Sequence, residues 1–312
     1  MTATMKVGRF RFLRAYPYKK HEGVERYLRT INTSRGVVKD GFLLTSLEDQ
    51  GFVWQNDEPC QSKYQADALY SALRKYDRQG VWLPDRRLLS QAFSKVEDQY
   101  ADLNRSLERA SEKVVVQHLL RSKSAGAPTF SSKGSVVDAG WKLDVNTADV
   151  EPCVAYYRTQ GRYDSDVWKS KVRLVWGYPM SMTVLEGLYA RPIISAITEF
   201  KSPYILGLRK SQVAARINAI TWKPFVGTFD WSSFDANMPK QLISLVFKMI
   251  RGWFHAVDDV EWDKIVKFFL MTPILMPNGK VYRGKKDGIP SGSYFTGIIG
   301  SLCNQVLMHY LV

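Results

Sequence analysis

The chain has 312 residues, 45% of them apolar and 13% aromatic, enough to bury a sizeable core in one to three domains and too rich in apolar side chains for a disordered chain. Its formal net charge is +14 and its pI about 9.6, which points to a polyanionic partner, either nucleic acid or an anionic membrane surface. The scattered Cys60, Cys153 and Cys303 and four scattered histidines match no zinc spacing or disulfide framework, the N-terminal MTATMKVGRFRFLR has no apolar signal core, and no run of 18 apolar residues offers a membrane span.

Residues 1–60 are poorly periodic. Helical spacing appears over Tyr64–Tyr76 and again over Leu88–Leu120, where Leu89, Phe93, Val96, Tyr100, Leu103 and Leu107 recur at alternating steps of four and three. They share one helix face, and core packing is the simplest reading of that stripe. A Ser-, Gly- and Lys-rich segment, Arg121–Ser135, follows. Within it KSAGAPTF, Lys123–Phe130, reads as a tight turn, either a surface loop or one able to admit a nucleic-acid strand.

Arg158–Lys223 is the basic heart of the chain, with eleven Lys or Arg against four Asp or Glu. Here Lys169, Lys171 and Arg173 stand at spacing two, leading into a strand predicted over Val172–Trp176, and would share one face. Such a row of cations can hold a triphosphate or can be a solvated sheet face. Thr183–Phe200 predicts a helix interrupted near Arg191-Pro192.

The apolar run Pro224–Trp231 predicts a buried strand with Asp230 at its exposed end. Asp235 follows after a turn, so two carboxylates can approach one site. Magnesium takes one or two carboxylates together with phosphate oxygens and water, and a pair of such ions can clamp a phosphoryl transfer. The same aspartates would also suit a strand end and a helix N-cap. Lys240–Phe254 predicts a helix with Leu242, Leu245, Val246 and Met249 inward, and Asp258, Asp259, Glu261 and Asp263 then read as a solvated flank. In Ile274–Tyr282 an Asn-Gly between two apolar runs predicts a hairpin. Ser291-Gly292-Ser293 is a hydroxyl-rich loop before a helix predicted over Phe295–Val312. It could bring backbone close to a nucleotide or template strand, or simply cap the helix.

In chain order, KSAGAP, KSKVR, DWSSFD and SGSYFT resemble motifs G, F, A and B of the RNA-dependent RNA polymerases of positive-strand and double-stranded RNA viruses. With RLVWGYP, the MPNGKVY hairpin and DGIPSGSYFT, the wording is closest to the partitivirus and picobirnavirus-like group. The resemblance runs from about Ser122 to the C-terminus. It implies an α+β right-hand polymerase fold, with outer fingers at 1–120, fingers bearing motifs G and F at 121–223, an incomplete palm at 224–312 and the thumb absent.

It further implies RNA-templated RNA synthesis in viral replication and transcription, by a two-metal mechanism using Mg²⁺ or Mn²⁺. By the same resemblance, Asp230 is the catalytic residue and metal ligand, and Asp235 reads the ribose 2′-hydroxyl. Lys169, Lys171 and Arg173 hold the incoming triphosphate, and Ser291, Gly292, Thr296 and Asn304 handle the nucleotide. Ser124, Ala125, Gly126 and Pro128 line the template path. The implied partners are template and product RNA, nucleoside triphosphates and viral capsid protein, and the implied setting is the host cytoplasm or the virion interior.

The sequence departs from the family pattern twice. Gly300 stands four residues after Thr296, where many such polymerases carry Asn, and the nearest Asn is Asn304, about 6 Å further along a helix. The Gly-Asp-Asp of motif C does not occur before Val312, so this chain alone is expected not to polymerise RNA. Two other readings stand beside this one. A reverse transcriptase would need a bulky side chain in place of Asp235, whereas a carboxylate there can accept a hydrogen bond from a 2′-hydroxyl. A non-catalytic basic RNA-binding or capsid protein would account for the charge but not for the ordered motifs.

Overall fold

In the computed structural model the described residues are 10–19, 22–33, 45–46, 48–51, 59–61, 66–80, 82, 84–158, 161–163, 173–199, 208–224, 226–227 and 230–311. Lys169 and Lys171 lie outside them.

The strands are β1 (Arg14–Pro17), β2 (Pro59–Gln61), β3 (Cys153–Arg158), β4 (Gly161–Tyr163), β5 (Arg173–Gly177), β6 (Ile274–Leu275) and β7 (Lys280–Arg283). Five of them form one sheet in the order β1-β7-β6-β3-β5, antiparallel except for the β3–β6 pair, and β2 and β4 form a separate ribbon. The helices are α1 (Glu22–Thr33), α2 (Ala66–Arg74), α3 (Arg86–Gln99), α4 (Glu112–Gln117), α5 (Lys133–Asp138), α6 (Met180–Glu199), α7 (Lys210–Thr221), α8 (Phe234–Asn237), α9 (Lys240–Arg251), α10 (Asp259–Met271) and α11 (Phe295–Leu311). Helices beside a mostly antiparallel sheet agree with the α+β expectation. The sheet draws on both ends of the chain, because β1 pairs with the far strand of the Asn-Gly hairpin and Asp77 takes the amides of Phe12 and Leu13 at 2.7 Å each.

An aromatic cluster holds the helical layer together. Phe247 of α9 packs on Phe269 of α10 at 5.1 Å and on Phe295 of α11 at 5.2 Å between ring centroids, and Tyr189 of α6 meets Trp262 of α10 at 5.3 Å. Edge-to-face rings at these distances contribute beyond the area they bury. Helix α3 lies along α11, and α4 lies against α6.

Several expectations need correction. The helix expected over Leu88–Leu120 is two helices, although its stripe is core as read: Val96, Tyr100, Leu103 and Leu107 are buried and Leu89 and Phe93 partly so. The chain leaves the helix after Tyr100 because its backbone finds tertiary partners. Arg105 N–H donates to the Gly252 carbonyl, Leu107 N–H to that of Trp253, and His255 N–H to that of Leu107. Ser111 then caps α4. Conversely, α6 runs without a break through Pro192. Proline removes the hydrogen bond that the Leu188 carbonyl would receive inside the helix, and Ala110 N–H supplies it from outside at 2.8 Å.

The strand expected over Pro224–Trp231 is not found: none of its described residues is in a strand, and Val226, Asp230 and Trp231 are exposed. An extended segment becomes a strand only when a neighbour completes its ladder, and no described strand pairs with it. Leu245 faces out of α9, whose buried stripe is Leu242, Ile243, Val246, Phe247, Met249 and Ile250. The flank at Asp258–Asp263 is not uniformly solvated. Asp258 caps α10, but Glu261 is buried and accepts from Arg109 Nε and Nη2 at 2.7 and 2.6 Å and from Tyr189 Oη at 2.7 Å.

Candidate active site

β5 is an edge strand of the sheet, and its outer edge is where Arg173, Ser291 and Gly292 meet. An edge strand leaves every second backbone group without a ladder partner. Ser291 takes two of those of β5: its Oγ donates to the Leu174 carbonyl at 3.1 Å, and its own carbonyl accepts from Trp176 N–H at 2.9 Å. The next residue, Gly292, has φ +117°, a conformation that favours glycine, and a Cβ there would overlap the Trp176 carbonyl oxygen. The loop therefore lies flat on the strand because its middle residue has no side chain. Beyond it α11 begins, with Thr296 Oγ1 donating to the Pro290 carbonyl at 2.7 Å.

Arg173 opens β5 and is exposed. In register beside it on β3 stands Arg158, also exposed. Two cations directly opposed on neighbouring strands repel unless an anion sits between or above them. Arg158 was not singled out from the sequence, because a pairing fifteen residues apart depends on the hairpin register and not on spacing.

Asp235 lies in the short α8, entered through Ser233 in the left-handed region at φ +51°. It is partly buried. Burial raises its carboxyl above the usual range, and the nearby Arg173 charge works in the opposite direction. Its backbone carbonyl accepts from Ile289 N–H at 2.7 Å, and Gly288 N–H donates to the Met238 carbonyl at 2.8 Å. The Asp235 turn is thus laced to the segment that leads into Ser291. Lys285 Nζ, buried, donates to the Gly288 carbonyl at 2.6 Å, and the Asp287 carboxylate takes the amides of Gly80 and Lys240 at 2.7 and 3.0 Å. Tyr76 also belongs to this side of the site. Its hydroxyl donates to the Ile289 carbonyl at 3.1 Å, and its pKa is pushed up by burial and then by the Asp235 charge.

Asp230 is exposed and has no hydrogen-bond or ion-pair partner among the described residues. Trp231, next to it, donates from Nε1 to Asn304 Oδ1 at 2.8 Å, which ties this segment to α11. Asn304 therefore holds the Asp230 region in place by at least one of its polar atoms. A Cβ at Gly300 would meet Phe234 at 3.5 Å, so this position faces the start of α8.

The turn at Ser124–Pro128 is built more tightly than a surface loop. Ala125, Gly126 and Ala127 are buried, and only Pro128 and Thr129 are open to solvent. The Ala127–Pro128 bond is cis. Gly126 has φ +71°, and a Cβ there would come within 2.7 Å of the Tyr178 carbonyl oxygen. Ser124 Oγ shares a 2.8 Å hydrogen bond with Tyr156 Oη, and the Ala125 carbonyl accepts from Met180 N–H at 2.8 Å. Tyr178 is thus the residue that separates this turn from the Gly292 loop. Glu186 is another functional candidate that sequence spacing did not reveal. It is a fully buried carboxyl group beneath the same loop, and its only sequence signal is an acid within a helix that is apolar all round.

No three His, Cys, Asp or Glu side chains among the described residues converge into a closed metal cage. A free, exposed carboxylate at Asp230 fits a hard divalent cation that takes most of its oxygens from substrate phosphate and water.

The sequence profile described as viral RNA-dependent RNA polymerase matches residues 48–312. Over 250 residues the chain is 28% identical to the RNA-directed RNA polymerase of Cryptosporidium parvum virus 1 (strain KSU-1), covering 73% of this chain and 46% of that protein. Over 84 residues it is 29% identical to the RNA1 polyprotein of Cycas necrotic stunt virus, covering 26% of this chain and 4% of the polyprotein. The crystal structure of the RNA-dependent RNA polymerase of a human picobirnavirus superposes with a TM-score of 0.66 at 18% identity, over 95% of this chain and 59% of the other. The chain thus spans about half the length of these polymerases, and the right-hand polymerase fold and the resemblance drawn from the motifs are both borne out.

Proposed function

Because the chain belongs to the viral RNA-dependent RNA polymerase family, we propose that it seats the template and the incoming nucleotide for RNA-templated RNA synthesis. One observation carries this reading. The edge of β5 brings Arg173, with Arg158 beside it, to the backbone that holds Ser291 and Gly292, and it sets Asp235 within the field of Arg173. A triphosphate, a ribose and a nucleic-acid backbone need those three kinds of group close together.

In this reading Arg173 and Arg158, with Lys169 and Lys171, hold the triphosphate. Asp235 accepts a hydrogen bond from the ribose 2′-hydroxyl. Ser291 and Thr296 orient the nucleotide, with Gly292 letting the backbone approach, and Asn304 acts through Trp231. The turn at Ser124–Pro128 borders the template through Pro128, with Ala125 and Gly126 anchoring it. The RNA 3′-hydroxyl loses its proton and forms a bond to the α-phosphorus of the nucleotide, and the bond to the β-phosphate breaks, releasing pyrophosphate. Divalent cations of the magnesium or manganese class, held by Asp230 and the substrate phosphates in a two-metal arrangement, would supply neutralising charge for that displacement.

The proposal extends to fingers at 1–120 and 121–223, a palm portion at 224–312, a double-stranded RNA virus source, contact with viral capsid protein, and work in the host cytoplasm or virion. The family membership leaves no support for a purely structural RNA-binding protein, and the acceptor at Asp235 favours ribonucleotides over a reverse transcriptase. The test is nucleoside triphosphate binding by the chain, with and without Mg²⁺ or Mn²⁺. Triphosphate binding weakened about tenfold in Arg173→Ala, with its metal-dependent part lost in Asp230→Ala, supports the reading. Triphosphate affinity that ignores Arg173, or a metal dependence that survives Asp230→Ala, overturns it.

A further inference from the structure

Glu186 lies in the second turn of α6, the sole acidic residue between Met180 and Thr198, and is fully buried. A carboxyl group out of water is costly unless its oxygens are hydrogen-bonded. Its Oε2 accepts from Ser293 Oγ at 2.7 Å and from Tyr294 N–H at 2.8 Å, while Oε1 is buried and has no partner among the described residues.

Those two donors belong to the start of α11. The first N–H groups of a helix have no partner within it and need one from elsewhere. Here Ser293 Oγ takes Phe295 N–H at 2.9 Å and the Ser293 carbonyl takes Thr296 N–H at 3.2 Å. Another of these donors, Tyr294 N–H, reaches across to α6. The loop is therefore held on two sides, by the edge of β5 under Ser291 and by Glu186 under Ser293 and Tyr294.

We propose that Glu186 is a positioning residue for the Ser291–Thr296 loop. Its buried carboxyl group, bonded to the Ser293 hydroxyl and the Tyr294 amide, sets where the Ser291–Gly292 backbone lies and so where the nucleotide is received. This rests on the reading of that loop as nucleotide-binding. Glu186 touches no substrate and acts only through Ser293 and Tyr294.

The surroundings make the clasp sensitive to protons. Burial pushes the Glu186 carboxyl up to about 8, partly offset by Ser293, Tyr294 and the Lys133 charge on α5. The other titratable groups around it are Cys153 on β3, Tyr178 ahead of α6, and Tyr294, which has Arg191 against it. Near neutral pH the carboxyl holds its proton. As pH rises through about 8 it ionises, and hydrogen bonds to a charged acceptor are shorter and stronger, so the grip on Ser293 and Tyr294 tightens.

The test compares wild type, Glu186→Gln and Glu186→Leu by amide NMR, with nucleotide affinity measured alongside. In wild type the Tyr294 amide should titrate near pH 8. In Glu186→Gln that titration should vanish while Tyr294 keeps its exchange protection, because the amide oxygen still accepts. In Glu186→Leu, Tyr294 should exchange roughly tenfold faster, the loss of one buried hydrogen bond, with Leu188 and Tyr189 of α6 still protected and nucleotide affinity reduced. Unchanged Tyr294 protection in Glu186→Leu, or equal exchange in the Gln and Leu variants, would overturn the proposal. Should Glu186→Leu fail to fold, the pH profile still decides: a Tyr294 titration that persists in Glu186→Gln overturns it. If Tyr294 responds as expected but nucleotide affinity does not, the clasp stands and the nucleotide role of the loop falls.

Discussion

At Gly292 the demands of backbone and neighbours coincide, because φ is +117° and a Cβ would overlap the Trp176 carbonyl. Gly292→Ala must push the loop away from β5 and break the hydrogen bond between Trp176 and Ser291. We expect a loss on the order of 2–4 kcal/mol in urea unfolding; an unchanged midpoint would show that the loop can shift without cost. Asp235 is different in kind, since its backbone holds the fold while its carboxylate has no hydrogen-bond partner among the described residues. Asp235→Ala should leave RNA affinity within about twofold and lower the preference for ribo- over deoxynucleotides about tenfold or more, because a site built around one hydroxyl loses its discrimination with its acceptor. Competition between the two nucleotides measures this, and an unaltered ratio would take the 2′-hydroxyl away from Asp235.

Among elements, the segment Gly284–Pro290 shows how a loop can be made rigid from below. Lys285 is buried, and burial lowers its ammonium to about 7; the Asp287 charge offsets this in part and Lys240 adds to it. The folded protein therefore prefers the neutral amine. Stability from this group is fully present above the ordinary lysine range, near 10.5, and is lost as pH falls from there through about 7, because the unfolded chain takes the proton first. Wild type should accordingly lose stability relative to Lys285→Met as pH is lowered from 10 to 7, in chemical denaturation at each pH. Parallel curves over that window would mean that the lysine keeps its charge when folded. Helix α6 makes a related point, since its continuity through Pro192 rests on the Ala110 amide of another segment.

For the molecule as a whole the +14 charge is the dominant long-range property. RNA should bind without strong sequence preference, and its affinity should fall steeply with salt as phosphate contacts release counterions. Each contact to a single strand adds about 0.7 to the slope of log affinity against log salt, so Arg158→Ala with Arg173→Ala should flatten the slope by roughly 1 to 1.5. A slope unaffected by the double substitution would remove the β3–β5 end from the RNA path. The aromatic core around Phe247 and Trp262 holds the helices, while Arg158 and Arg173 stand at the sheet end where the loop lies.

The family was legible in the sequence, because KSAGAP, DWSSFD and SGSYFT are local strings whose types and spacing survive without knowledge of their neighbours. The same holds for the helices around Val96, Val246 and Ile298 and for the Asn-Gly hairpin, where periodicity and turn chemistry act within a few residues. Other features depend on partners distant in sequence. Whether Pro224–Trp231 becomes a strand depends on a ladder partner, and whether Pro192 breaks a helix depends on Ala110. Whether Glu261 is solvated depends on Arg109 and Tyr189, and what Asn304 holds depends on Trp231. Spacing along the chain could not foresee the meeting of Arg158 with Arg173 or of Glu186 with Ser293. Buried polar groups must find partners wherever the fold brings them, so tertiary structure alone chose those partners, and with them the geometry of the site.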